Sequence, residues 1–132
     1  MSIGILTCIH ANNVCTGAGC LNAFYNREDK FSEYGEKDRL GAFMTCNGCK
    51  NEQPLEHEKD PGMQEKLDRL ISENIKVIHV GVCSWVENEN HEWYLCIRMK
   101  KICEMMENRG IRVIQGTHRS RIPVFDQADK KG

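Results

Sequence analysis

Ile75-Lys76-Val77-Ile78-His79-Val80-Gly81-Val82, followed at once by Cys83, is the stretch that decides the fold. Its short, continuous apolar character and its β-branched residues predict a buried strand that ends at Cys83. Upstream, Asp60-Pro61 is a helix start, because Asp caps free amides and Pro suits the first helical position. Met63, Leu67, Leu70 and Ile71 then recur at helical spacing, with Asn74 as the expected stop. Downstream, a polar loop over residues 87–92 leads into a further helix. Leu95, Cys96, Met99, Ile102, Cys103 and Met106 form its apolar stripe, and Gly110 is placed as a C-cap. Residues 111–115 make the next strand, and Gly116-Thr117-His118 follows.

The same alternation extends to the N-terminus. Residues 3–8 are a first buried strand ending at Cys8. Asn12-Asn13 and Gly17-Ala18-Gly19 mark a loop, after which Leu21, Phe24 and Tyr25 are spaced for one face of a short helix. A polar segment over 26–38 precedes the strand Arg39–Thr45, which ends at Cys46. The charged stretch 50–60, with Pro54, is expected to be a surface loop. Strand and helix alternate throughout, so the expectation is a small three-layer α/β domain of the flavodoxin or Rossmann type. Its mainly parallel, four-stranded sheet would be joined by right-handed crossovers. Residues 1–118 are expected to form this single domain, and residues 119–132 a C-terminal tail without period.

Composition narrows the function. A chain of 132 residues buries enough surface to fold without staples, so its eight cysteines are not required as a disulfide framework. No basic leader and no apolar run of roughly 20 residues is present, which predicts a cytoplasmic protein with reduced thiols. There, patterned cysteines point to metal or catalysis. Eighteen basic against nineteen acidic residues leave a net charge of -1, and no electrostatic case for nucleic acid or a membrane surface. The small cluster Arg119-Ser120-Arg121 is expected to be a solvated part of the tail.

The strand assignment locates the cysteines. Cys8, Cys46 with Cys49, and Cys83 follow the first three strands, and His118 lies just past the fourth. In a parallel sheet those ends share one edge, where open α/β sheets bind ligands. Cys15 and Cys20 lie in the loop and helix start after strand one, and Cys96 in the first turn of the third helix. Seven cysteines can thus reach one crevice. Cys103, seven residues beyond Cys96 and about 10 Å down the helix axis, is expected to be a core thiol.

Cys46-Asn47-Gly48-Cys49 has three readings: half of a metal site, a dithiol redox pair, or two buried thiols. Gathered thiolates repel one another and lose hydration unless a cation shares their charge. A Cys-x-x-Cys turn with glycine inside suits half a zinc or iron–sulfur site. That favours a metal or cluster site built from Cys8, Cys15, Cys46, Cys49 and Cys83, with His118 nearby. Zinc and an iron–sulfur cluster both remain open, and an open iron could bind a small substrate. The alternative is a thiol-disulfide oxidoreductase or sulfur-transfer enzyme, with Cys46 attacking and Cys49 resolving. A third reading is a module whose thiols only sense oxidation.

The chain resembles the CGGC-domain family of small prokaryotic proteins, described as metal-binding. The resemblance runs over residues 3–118 and rests on several features together. They are the strand ending at Cys8, Cys15-Thr16-Gly17-Ala18-Gly19-Cys20, the tetrapeptide at 46–49, the strand ending at Cys83, and Gly116-Thr117-His118. It implies Cys8, Cys15, Cys46, Cys49, Cys83, Cys96 and His118 as ligands. Three departures stand out. Asn47 replaces a glycine, a change the turn would tolerate if Asn47 takes positive φ. Cys96-Ile97-Arg98 stands where the family often has Cys-Pro-His, and the loop over 51–60 is longer and more acidic.

Among the other residues, His79 alternates onto the apolar face of its strand and is expected to be a satisfied core histidine. His10 is a candidate because it follows Cys8, whereas His57 and His91 sit in charged loops and are expected to be exposed. Cys20 is evenly divided between helix packing and the site. Trp85 and Trp93 could roof the site or serve as anchors. Thr16-Gly17-Ala18-Gly19 could offer amides to an anion. A Cys-x5-Arg phosphatase or arsenate-reductase loop is excluded, since Val14 and Leu21 stand where the arginine would follow Cys8 and Cys15.

Overall fold

The computed structural model describes residues 1–48 and 57–118. Its strands and helices, in chain order, are β1 (Ser2–Thr7), α1 (Ala18–Tyr25), β2 (Arg39–Thr45), α2 (Pro61–Ser72), β3 (Ile75–Val80), β4 (Trp85–Glu87), β5 (Trp93–Leu95), α3 (Ile97–Asn108) and β6 (Arg112–Gln115). Four strands pair in the order β2-β1-β3-β6, all parallel. This is the α/β architecture expected. The chain winds outward from β1 to β2, then crosses back to β3 and on to β6. The loops after β1 and β3 therefore part at a topological switch point, the place where open sheets of this order bind ligands.

Alternation along β1 builds the two outer layers. Ile3 and Ile5 are buried with Cys20, Ala23 and Phe24 of α1 and with Phe31. Leu6 faces the opposite way, into a core shared by Met63, Leu67 and Leu70 of α2 and Met99, Ile102 and Met106 of α3. Gly4 lies on that same side, where a Cβ would stand 2.5 Å from Cδ1 of Ile78. Bare backbone there leaves room for the Ile78 side chain of the neighbouring strand. Asp60 caps α2 as expected, its carboxylate accepting the N–H of Gly62 at 3.0 Å. Asn74, at φ 62°, ends the turn after that helix, and Gly110, at φ 84°, ends α3.

Four expectations need correction. The third strand stops at Val80, and Val82–Ser84 form a 3-10 turn instead of its end. Beyond it, β4 and β5 pair as an antiparallel hairpin where only a loop was expected. Asn88 closes that hairpin, its side-chain oxygen accepting the N–H groups of Asn90 and Glu92 at 2.8 and 2.9 Å. Strands of three residues carry too little alternation to be seen in a sequence. Leu95 consequently belongs to β5, and Cys96 is the N-cap of α3 and not part of its first turn. On α1 the sheet-facing positions are Cys20, Ala23 and Phe24, while Tyr25 is 68% exposed. No described helix is long and apolar enough to cross a membrane. The tail at 119–132 and most of the 50–60 loop lie outside the described residues.

Candidate functional site

The backbone ladder continues past the strands and carries their loops onto one edge. Cys46 N–H donates to Thr7 O, Gly81 N–H to Leu6 O, and Gly116 N–H to Val80 O, at 3.2, 2.9 and 2.7 Å. β1 lies between β2 and β3, so the first residues beyond it meet both neighbours. Cys8 N–H donates to Sγ of Cys83 at 3.3 Å, on the β3 side. Ile9 N–H donates to Sγ of Cys46 at 3.4 Å, on the β2 side. Two consecutive amides at the end of the central strand thus each hold a sulfur from a flanking loop.

The thiols fall into two overlapping groups. Burial pushes the Cys46 thiol up from its ordinary pKa of 9.0, against the amides of Ile9 and Gly48, and the nearby Cys8 and Cys96 sulfurs add to the rise. Cys96 is half-buried at the head of α3, its N–H donating to Ser84 O at 2.9 Å. Burial also pushes Cys83 up, against the amide of Cys8, and its sulfur neighbours are Cys8, Cys20 and Cys15. Cys20 is raised by burial, opposed by a hydrogen bond with Thr117, whose Oγ1 lies 3.0 Å from Cys20 Sγ. Raised values keep these sulfurs as neutral thiols at neutral pH; a bound cation would reverse that.

At the switch point, between the loops after β1 and β3, lies a cavity of about 400 Å³. Cys15, Cys20, Cys83, His118 and Trp85 are among its lining residues, while Cys8, Cys46 and Cys96 are not. Cys15 is exposed, with Gly17 N–H donating to its sulfur at 3.4 Å. The His118 ring rests on the first turn of α1, where a Cβ on Gly19 would stand 3.3 Å from Nε2. Trp85 is pinned by its Nε1–H to Oε1 of Gln115 at 3.0 Å and packs with Trp93 around Val82.

The remaining candidates are placed as follows. His10 is half-buried, and its Nε2 is buried with no hydrogen-bond partner among the described residues. His79 is the core histidine expected, fully buried. His91 is exposed, beside Glu87, and the side chain of His57 lies outside the described residues. Cys103 is a core thiol as expected, pushed up to about 12 by burial.

The tetrapeptide at 46–49 is described as far as Gly48, and Cys49 lies outside the described residues. The positive φ in this turn falls on Gly48, at 105°, and not on Asn47. Asn47 acts instead through its side chain. Its Nδ2 donates to Oδ2 of Asp60 at 2.6 Å, and its Oδ1 accepts from Nζ of Lys66 at 2.6 Å. Lys66 also donates to Thr45 O at 2.8 Å, so it braces the chain on both sides of Cys46. No sequence pattern announces Lys66, nor the contact of Thr117 with Cys20, since both roles depend on which elements become neighbours.

Sulfurs that share one zinc lie within about 4 Å of one another. Among the described residues, no three of His, Cys, Asp and Glu are gathered closely enough to hold a metal ion. What the described thiols do provide is soft sulfur donor atoms, of which those of Cys15, Cys46 and Cys83 accept amide hydrogen bonds. A family model described as CGGC domain matches residues 2–118. No curated protein and no solved structure matches the chain.

Proposed function

The chain belongs to the CGGC domain family, and from that premise we propose that it holds a thiolate-ligated metal centre at the carboxyl edge of its sheet. The ligands proposed are drawn from Cys8, Cys46, Cys49, Cys83 and Cys96. The observation that carries this reading is the pair of consecutive amides, Cys8 N–H and Ile9 N–H, each donating to a cysteine sulfur. Such donors stabilise charge on sulfur and have little purpose for bystander thiols. An all-sulfur donor set suits one zinc ion or an iron–sulfur cluster. When bound, the centre supplies the positive charge that lets the buried thiols ionise. Braced by Lys66 and Asn47, the Cys46 turn is held in place for it. The redox alternative is less favoured, because burial raises Cys46 where an attacking thiol needs the opposite shift.

Elemental and sulfide analysis of protein purified without air, with an absorption spectrum, tests the proposal. Metal in the wild type that is lost in Cys46→Ser and Cys8→Ser, and kept in Cys103→Ala, is expected. Iron with sulfide identifies a cluster; about one zinc per chain without colour identifies a tetrahedral site. A metal-free chain with all eight thiols titrating overturns the reading.

A further inference from the structure

The cavity at the switch point has thiols around it, yet its shape is not that of an ion site. Cys15, Cys20, Cys83 and His118 border about 400 Å³ of open space, and no three of them converge on a point. A volume of that size is at the lower end of small-molecule pockets. The wall chemistry limits the occupant. Val82 and Trp85 give apolar surface, and the described lining includes no Lys, Arg, Asp or Glu. Phosphorylated and strongly charged ligands are therefore poorly matched. Sulfur is the recurring functional group, and among the described cysteines Cys15 is the one exposed to solvent while Cys20 is buried.

We propose that this cavity is a binding site for an uncharged low-molecular-weight thiol compound, entering as its disulfide, and that Cys15 exchanges with it. The step balances without further reagents. The Cys15 sulfur attacks one sulfur of the incoming disulfide, a protein–ligand S–S bond forms, and the ligand's own S–S bond breaks. Cys15 is oxidised, and the departing half is reduced to a thiol that takes up the proton Cys15 gave. The Gly17 amide, donating to Cys15 Sγ at 3.4 Å, stabilises the attacking sulfur. The proposal stands beside the metal reading, since Cys15 is outside the ligand set assigned above.

The test is labelling of the full chain, purified without air, with bis(2-hydroxyethyl) disulfide, followed by intact and peptide mass spectrometry. One adduct on Cys15 is expected, forming at a rate that saturates with reagent because binding precedes exchange. Ala11→Phe, which places a ring at the cavity wall, should slow it about tenfold at low reagent by removing that bound encounter. Cys15→Ser should abolish it. A rate that rises linearly and equals that of the urea-unfolded chain would overturn the proposal, as would an adduct centred on another cysteine. Metal is measured in the same samples. Metal retained after labelling supports the separation of the two sites, and metal released with the adduct overturns it. A chain with no metal from the outset sinks the metal reading alone, and the saturation result still decides this one.

Discussion

The hydroxyl of Tyr34 lies 2.7 Å from Nε2 of His79, and Nδ1 of the same ring lies 2.8 Å from the carbonyl oxygen of Gly116. A carbonyl only accepts, so Nδ1 carries the proton and Nε2 accepts from Tyr34. The ring is neutral in this arrangement and ties the 26–38 segment to the chain that leads from β6 to Thr117 and His118. Phe31 stacks against it, with ring centroids 4.4 Å apart.

That geometry predicts a pH dependence of stability. Burial lowers His79 from 6.5 to about 4, with Arg112 and Lys30 adding to the depression and the Gly116 carbonyl opposing it. The unfolded chain therefore binds the extra proton first as pH falls. Stability should be full above pH 6.5 and decline through the window down to about 4, by roughly 3 kcal/mol from this residue. Urea midpoints measured across that range should show the decline in the wild type and a flatter profile in His79→Phe. Tyr34→Phe leaves Nε2 unpaired and should cost about 1–3 kcal/mol at pH 7.

Asn47 makes a second prediction. Restoring the family's glycine with Asn47→Gly removes the bonds to Asp60 and Lys66, and leaves Lys66 bracing the Cys46 turn through Thr45 O alone. Urea unfolding should show a loss of about 1–3 kcal/mol. Metal should also be retained less well during dialysis against a chelator. Unchanged stability would mean that the bridge is formed without consequence.

Cys103 provides the control for every thiol measurement. It is 5% exposed within the apolar stripe of α3 and far from ionising near neutral pH. Cys103 should be silent to thiol reagents in the folded chain. Cys103→Ala should lower stability by about 1–2 kcal/mol through lost packing, and leave metal content unchanged. A fall in metal content would place this sulfur in the site.

Gly4→Ala tests how tightly β1 packs against side chains of its neighbouring strands. The added methyl meets Ile78, which is fully buried and has little room to retreat. Overpacking of this kind costs about 1–3 kcal/mol. Thermal unfolding should show the loss, while a neutral outcome would mean that the Ile78 side chain repacks freely.

Much of this molecule follows from local chemistry alone. The β-branched runs at Ile75–Val80 and Ser2–Thr7 state their own strands, and Asp60-Pro61 and Gly110 state the limits of their helices. Because backbone direction is common to all strands of a parallel sheet, the positions of Cys8, Cys46 and Cys83 just past their strands were enough to send them to one edge. The hairpin of β4 and β5 was not legible, since three residues cannot display a period. Nor was the role of Asn47, whose partners lie 13 and 19 positions away.

What only the tertiary structure decided is the order of the strands, β2-β1-β3-β6. A sequence gives each strand's character but not its neighbours, because pairing is settled by crossovers and by which faces bury together. That order puts β1 in the middle, so the amides of Cys8 and Ile9 reach sulfurs on either side. It also opens the crevice at the switch point, which places Cys15, Cys20 and Cys83 around one cavity and leaves Cys8, Cys46 and Cys96 outside its lining.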